Sequence, residues 1–252
     1  MITVTRPAEA SPMIPFSNLY RAEWHKTLST RAARWLLAGT CLLAIAAEAV
    51  PAIFTHDVTQ NRASYLTWSG LGMSRLLPIV LILAMTSEWS QRSALTTFTL
   101  EPRRGRVLAA KVASGFMLAV ACAVFAFVVA TVAVLGVHAA GHHVATGWDW
   151  SQLAGFALFM VVTSALGIAF GAALHNSAAA IVTYFALGAA ISLLTIPALA
   201  KAGDWINTEQ VFGWMLSGQW SGHGTEMAAC VALWIVFPLA IGTVRTIRRD
   251  VN

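Results

Sequence analysis

Six apolar runs, each roughly as long as a bilayer is thick, constrain this chain more than any other feature. They occupy residues 35–54, 69–85, 107–137, 153–174, 178–199 and 227–244. A helix needs about 20 mostly apolar residues to cross the hydrocarbon core of a membrane. Only 11% of the residues are charged, against roughly 25% in soluble domains. We therefore expect an all-α polytopic membrane protein, with one domain of six transmembrane helices over residues 1–252.

The basic residues are distributed unevenly between the segments that join these runs. If the amino terminus is inside, thirteen of the sixteen Lys and Arg residues fall on the cytoplasmic side, and Arg62, Arg75 and Lys201 fall outside. Positive charge near the ends of spans marks cytoplasmic segments. We therefore expect both termini in the cytoplasm, and we expect the net charge of +5 to face anionic lipid rather than nucleic acid.

Two segments on the predicted cytoplasmic side show helical periodicity, which an unstructured loop would lack. After a loose tail over residues 1–15, residues 16–34 place aromatic and basic side chains on opposite helical faces, which predicts an interfacial amphipathic helix. Residues 86–111, the central loop, hold five basic residues and predict a short helix over 88–100. Glu101-Pro102 should end that helix, because proline disfavours helical geometry in the residue before it. The alternatives are a solvated lead-in to the first span and a loop that only contacts lipid headgroups.

The last outer segment, residues 200–226, is too apolar for a water-exposed loop. Its short length and its glycines exclude a seventh span. Irregular backbone at membrane depth must be shielded by protein. We therefore predict an outer re-entrant hairpin before the last span, anchored by Trp205, Phe212, Trp214 and Trp220.

Glu48 and Arg75 fall inside the first and second predicted spans, each about six residues from the outer end. Charges inside a membrane are usually paired or face a cavity. We therefore predict an ion pair between Glu48 and Arg75. The pair could fix helix packing or line a substrate pathway, and snorkelling to the outer surface is the remaining alternative.

The sequence shows no catalytic motif. It lacks the glycine-rich loop with Gly-Lys-Ser/Thr that binds nucleotide phosphates, so we expect no enzyme activity and no cofactor bound by this chain. His138, His142 and His143 lie near glycines where a helix is doubtful, and we interpret them as solvated loop residues rather than metal ligands.

Within the central loop, S-E-W-S-Q-R-S-A-L-T-T-F-T-L-E-P-R-R-G-R resembles the first cytoplasmic loop in the permease subunits of bacterial ABC-2 type transporters. The segment L-Y-R-A-E-W-H-K is similar to the amino-terminal interfacial helix of that family. One departure is Arg92-Ser93, where members of the family often carry Gly-Thr or Gly-Ser.

The resemblance implies the permease subunit of an ATP-driven exporter in the bacterial cell membrane, with a lipophilic, drug-like or peptide substrate. Two copies of a separate ATPase subunit would hold ATP and Mg, and a second permease, identical or related, would complete the pathway within membrane lipid. Glu88 would pair with Lys26, Arg31 or Arg92 to lock the loop. The residues expected to couple to the ATPase are Glu23, Lys26, Arg31, Glu88, Trp89, Arg92, Thr96, Arg103, Arg104, His175 and Asn176.

Two other classes of protein stay open at this point. The first is a membrane receptor or anchor whose basic cytoplasmic face binds a regulatory partner. The second is a membrane redox or metal protein.

Overall fold

A computed structural model of the chain describes residues 14–54, 61–91, 93–145, 147, 149–192 and 200–248. These residues form helices joined by short turns, and no β-strand occurs among them. In chain order the α-helices are α1 Phe16–Ser29, α2 Arg31–Ala47, α3 Ala49–Ile53, α4 Arg62–Ser90, α5 Ala94–Leu100, α6 Arg104–Ala139, α7 Trp150–Leu174, α8 Ser177–Ser192, α9 Ala200–Ile206, α10 Thr208–Leu216, α11 Gly224–Val231 and α12 Phe237–Arg248.

Five helical stretches among the described residues are long and apolar enough to cross a membrane. They are Arg31–Ile53, Arg62–Ser90, Arg104–Ala139, Trp150–Leu174 and Gly224–Arg248. The last of them joins α11 to α12 through a π-helical turn. These stretches coincide with five of the predicted spans. They confirm the all-helical class, and their length and composition support a membrane protein.

The fifth predicted span, over residues 178–199, is confirmed only as a helix. Its described part is α8, which has 16 residues and extends about 24 Å at a rise of 1.5 Å per residue. A hydrocarbon core is about 30 Å thick. Residues 193–199 lie outside the described residues, so the sixth crossing stays a prediction.

The amphipathic helix begins at the predicted residue, Phe16, but it ends before Arg34. Thr30 is extended, with φ −75° and ψ 141°, and separates α1 from α2. Its hydroxyl accepts a hydrogen bond from the Ala33 backbone N–H at 3.2 Å. Threonine is a favourable residue at this capping position, so the chain ends one helix and starts the first span in a single residue.

The central loop contains a shorter helix than the sequence predicts. The span helix α4 continues through Glu88 and Trp89 to Ser90, because no residue between 86 and 90 interrupts a helix. The loop helix α5 covers only Ala94–Leu100. The predicted start at Glu88 is therefore wrong. The predicted stop is confirmed, since Glu101 is extended, at φ −133° and ψ 96°, before Pro102.

Helix α4 lies at the centre of the bundle and packs closely against α7. Its Met73, Leu77 and Leu81 are fully buried. On α7, a Cβ atom added to Gly167 would lie 2.7 Å from the Pro78 carbonyl oxygen, and one on Gly171 would lie 2.7 Å from the Met85 Cβ. Glycines four residues apart let two helix backbones approach in membranes. We call this close contact of Gly167 and Gly171 with α4 the seam; it holds α4 and α7 together along several turns.

Contacts between the turns define two ends of the bundle. At the end that we call the loop end, the Thr86 and Ser177 hydroxyl oxygens lie 2.7 Å apart. At the opposite or far end, the Ser151 hydroxyl donates to the Gly218 carbonyl at 3.3 Å. The segments predicted to face the cytoplasm gather at the loop end.

Candidate functional site: a buried ion cluster at the loop end

Four charged side chains from three helices meet at the loop end, and we call them the ion cluster. The Lys111 ammonium of α6 donates to Glu23 Oε2 of α1 at 2.8 Å and lies 3.6 Å from Glu88 Oε1 of α4. The Lys26 ammonium lies 2.6 Å from Glu23 Oε1 and 3.3 Å from Glu88 Oε1. Two carboxylates and two ammonium groups therefore neutralise one another.

Most of the ion cluster is shielded from solvent. Glu23, Glu88 and Lys111 are 4%, 3% and 7% exposed, whereas the Lys26 side chain is 45% exposed. Charges in such a site are stable only when they are paired and hydrogen-bonded. The ion cluster meets that condition and joins the interfacial helix α1 to the span helices α4 and α6.

The pKa values of the α1 residues report this pairing. Burial acts to raise the pKa of Glu23, but the charge and hydrogen bond of Lys111, with the hydrogen bond of Lys26, hold that pKa below its usual value of 4.5. Burial acts to lower the pKa of Lys26, but Glu23 and Glu88 hold that pKa above 10.5. Both groups are therefore charged at neutral pH.

The aromatic residue next to the ion cluster extends the contact to α7 and α12. The rings of Trp89 and His175 lie 4.5 Å apart between centroids. His175 ends α7 in the left-handed region, at φ 51°. Its Nε2 lies 2.9 Å from the Thr246 hydroxyl of α12. Arg104 donates to the Thr246 carbonyl at 3.3 Å. The end of α4 is thus connected to two further helices, α7 and α12.

Other predicted coupling residues lie on the surface of the same end. Arg31, Thr96, Arg103 and Asn176 are exposed. Asn176 also caps α8, because its Oδ1 accepts from the Ala179 N–H at 3.0 Å. The remaining predicted residue, Arg92, lies outside the described residues.

Two members of this end, Lys111 and Arg106, are not among the predicted coupling residues. Lys111 falls inside the predicted third span, where an ionisable residue requires a partner, and that position was the available signal. Arg106 was counted only as loop charge, yet it pairs with the buried Glu101 at 3.0 Å and donates to the Ile14 carbonyl at 2.6 Å. By contrast, the pairing of Glu88 with Lys26, one of three predicted choices, is confirmed.

The predicted ion pair between Glu48 and Arg75 does not occur in this structure. Arg75 of α4 instead lies 3.5 Å from Glu209 of α10. Glu48 is 5% exposed and sits at the turn between α2 and α3. Within the described part of the chain, neither of its carboxylate oxygens makes a well-formed hydrogen bond, although the Ser69 hydroxyl of α4 lies near enough to donate one. Arg75 pairs with Glu209 instead of Glu48 because α10, which is distant in sequence, places a carboxylate beside it.

The predicted outer hairpin is a pair of short helices, α9 and α10. Phe212 and Trp214 are buried, and the Phe159 and Phe212 rings make an edge contact with centroids 5.1 Å apart. Trp205 is 46% exposed. The side chain of Trp220 lies outside the described residues, and the depth of this segment in a membrane stays a prediction.

His138, His142 and His143 are exposed at the far end. Over the described ranges, no group of three or more His, Cys, Asp or Glu side chains is arranged to hold a metal ion.

The described part of the chain is thus a helical bundle with five stretches long and apolar enough to cross a membrane, and a charged contact joins three helices at one end. Comparison of the sequence with protein-family models gives no match, and comparison with curated proteins gives none either. A more specific function therefore has to be argued from the residues and their geometry.

Proposed function

We propose that this chain is the transmembrane permease subunit of an ATP-driven ABC exporter of the ABC-2 type. The observation that carries the proposal is the ion cluster, which joins the two segments that resemble that family. Lys111 bridges Glu23 of the interfacial helix and Glu88 of the central loop at 2.8 and 3.6 Å. A coupling device needs such a connection, because a force applied to one segment must reach the spans.

The predicted coupling residues fall into a buried group and a solvent-exposed group, and we assign a different role to each. Glu23 and Glu88 are buried, so we assign them to positioning rather than to direct contact. Arg31, Thr96 and Arg103 are exposed and would form the surface on which an ATPase subunit docks. Movement of that surface would then pass through the ion cluster to α4 and α6.

The proposal includes six crossings with both termini in the cytoplasm of a bacterial cell and the loop end facing inward. The uneven distribution of Lys and Arg supports this orientation. A second permease, identical or related, would complete the pathway, and the re-entrant pair α9 and α10 would lie at its outer side. ATP and Mg would bind to the partner ATPase, and the substrate would be lipophilic, drug-like or a peptide.

The test is co-purification with an ATPase subunit from native membranes, followed by measurement of ATP hydrolysis. Arg103→Glu reverses an exposed charge at the loop end, and His142→Glu, which adds the same acidic side chain at an exposed position of the far end, is the control. We expect Arg103→Glu to reduce ATPase recovery at least about tenfold, which corresponds to 1.4 kcal/mol, and His142→Glu to leave recovery unchanged.

Recovery of a well-folded protein with no nucleotide-hydrolysing partner would contradict the proposal. Capture of an acidic, non-hydrolysing protein through the same arginine would instead support a receptor or anchor.

A further inference from the structure

A cavity of about 350 Å³ opens between α4, α7, α8 and α10. Drug-sized ligands usually occupy pockets of about 300–1,000 Å³. The cavity is lined mostly by apolar atoms, and five of its residues are aromatic: Phe170, Tyr184, Phe185, Phe212 and Trp234. Such walls suit an apolar chain that leaves water or lipid.

One cation and one anion also line this cavity. Arg75 comes from α4 and Glu209 from the first turn of α10, and their side chains are 59% and 50% exposed. Their closest nitrogen and oxygen atoms are 3.5 Å apart. An exposed pair at this distance is weak, so a ligand can replace either partner at small cost.

We propose that this cavity binds a zwitterionic amphiphile. The anionic group of the ligand pairs with Arg75, its cationic group pairs with Glu209, and its apolar chain lies among the aromatic residues. A zwitterion leaves both protein charges neutralised after the Arg75–Glu209 pair opens. A ligand with a single charge forms one new ion pair but opens the Arg75–Glu209 pair, so it gains no ion pair overall, whereas a zwitterion gains one.

Identification of this ligand as the exported substrate rests on the proposed function, whereas binding itself does not. A zwitterionic amphiphile could reach the cavity as a resident membrane lipid or as a transported compound. Both sources share the same head-group chemistry, and binding to the isolated chain tests that chemistry directly.

The experiment uses the purified full chain and three single-chain amphiphiles with the same brominated acyl chain. Their head groups are phosphoethanolamine, which is zwitterionic, phosphoglycerol, which is anionic, and trimethylammonium, which is cationic. Bromine quenches nearby indole fluorescence, and the signal from Trp234 is isolated by subtracting that of Trp234→Phe. We expect the zwitterion to bind at least about tenfold more tightly than either singly charged probe.

Two glycines provide a matched pair of variants. Gly188 lines the cavity on α8, and Gly136 lies on α6, away from the cavity. A Cβ added to either glycine meets no atom within 4 Å. Leucine also favours a helix more than glycine does. Gly188→Leu should fill the cavity and weaken binding of the zwitterion at least about tenfold, and Gly136→Leu should leave it unchanged.

The charge variants test the head-group assignment. Arg75→Gln should remove the preference for the zwitterion over the cationic probe, and Glu209→Gln should remove the preference over the anionic probe. Equal affinity of all three probes for the wild type, or unchanged binding in Gly188→Leu, would overturn the proposal.

This assay contains no ATPase. Zwitterion binding in this assay, combined with failure of any ATPase to co-purify with the chain, would retain the site and reject the transporter. Recovery of an ATPase without zwitterion binding would reject only the site. Phosphatidylethanolamine vesicles with the ATPase complex then separate the two sources. Movement of labelled lipid between leaflets identifies a transported compound, and binding without movement identifies a resident lipid.

Discussion

At the loop end, four charged side chains from α1, α4 and α6 neutralise one another, and all of them except the half-exposed Lys26 are buried. At the far end, Arg75 and Glu209 meet in an exposed pair, and Glu48 is buried with no well-formed hydrogen bond among the described residues. In the first arrangement, removing any member leaves an opposite charge unpaired, which destabilises the folded protein. In the second arrangement, the exposed Arg75–Glu209 pair is available to other molecules, whereas Glu48 is shielded from them. The difference indicates that the loop end is built to stay assembled and the far end to exchange partners.

The largest expected effect comes from removing the central cation of the ion cluster. Lys111→Met leaves two buried carboxylates with only the half-exposed Lys26, and breaking a buried pair costs about 3–5 kcal/mol. We expect a large fall in the thermal unfolding midpoint, measured by size-exclusion chromatography of the heated, detergent-solubilised protein. The double variant Glu23→Gln with Lys111→Met restores one carboxylate to one ammonium group. It should recover part of the loss, and failure to recover any would show that the charges are not coupled.

A second effect depends on pH. The folded-state pKa of Glu23 lies below its usual value of 4.5, so its stabilisation is complete above pH 4.5 and is lost as pH falls through the folded-state value. We expect Glu23→Gln to cost about 1.5–3 kcal/mol at pH 7. The difference in unfolding midpoint between the wild type and the variant should shrink as the pH falls below 4.5. A difference that is constant down to pH 3 would rule out charge as its cause.

The same substitution should have the opposite sign at Glu48. Neither oxygen of this buried carboxylate makes a well-formed hydrogen bond within the described residues, and an unsatisfied buried group costs about 1–3 kcal/mol, or more when it is charged. We therefore expect Glu48→Gln to raise the unfolding midpoint slightly. A loss as large as that of Glu23→Gln would mean that Glu48 has a partner in the membrane, and the contrast between the two ends would fail.

The smallest effect is expected for the exposed pair at the far end. Exposed ion pairs contribute about 0–1 kcal/mol. Arg75→Gln, Glu209→Gln and the double variant should therefore give a coupling free energy below about 1 kcal/mol in a double-mutant cycle. A larger coupling would show that Arg75 and Glu209 form a structural pair that a ligand cannot displace cheaply.

Local signals in the sequence predicted much of the fold. The start at Phe16, the stop at Glu101-Pro102 and the gap between the predicted runs 153–174 and 178–199 depend on neighbouring residues alone. The structure places a helix end within one residue of each. The break at Thr30 could also have been found, because threonine is a favourable helix cap. The Gly167 and Gly171 spacing is a further available signal for the seam between α4 and α7.

Pairings between distant residues were harder to predict. Arg75 and Glu209 are separated by 134 positions and Glu23 and Lys111 by 88, so only the three-dimensional arrangement of the helices brings them together. Glu48 was the predicted partner of Arg75 because both lie at a similar depth in neighbouring predicted spans. Depth in the membrane limits which residues could pair with Arg75, but the rotation of each helix about its axis decides which side chains meet.

Pro78 divides α4 between the two ends. It lies inside the helix, three residues beyond Arg75 and ten before Glu88. A proline has no N–H, so the Ser74 carbonyl, next to Arg75, loses its helical hydrogen bond. Bending is easiest where this bond is missing. A tilt of the Glu88 half of α4 would therefore be absorbed beside the cavity, and the helix would act as a hinge whose pivot borders the ligand.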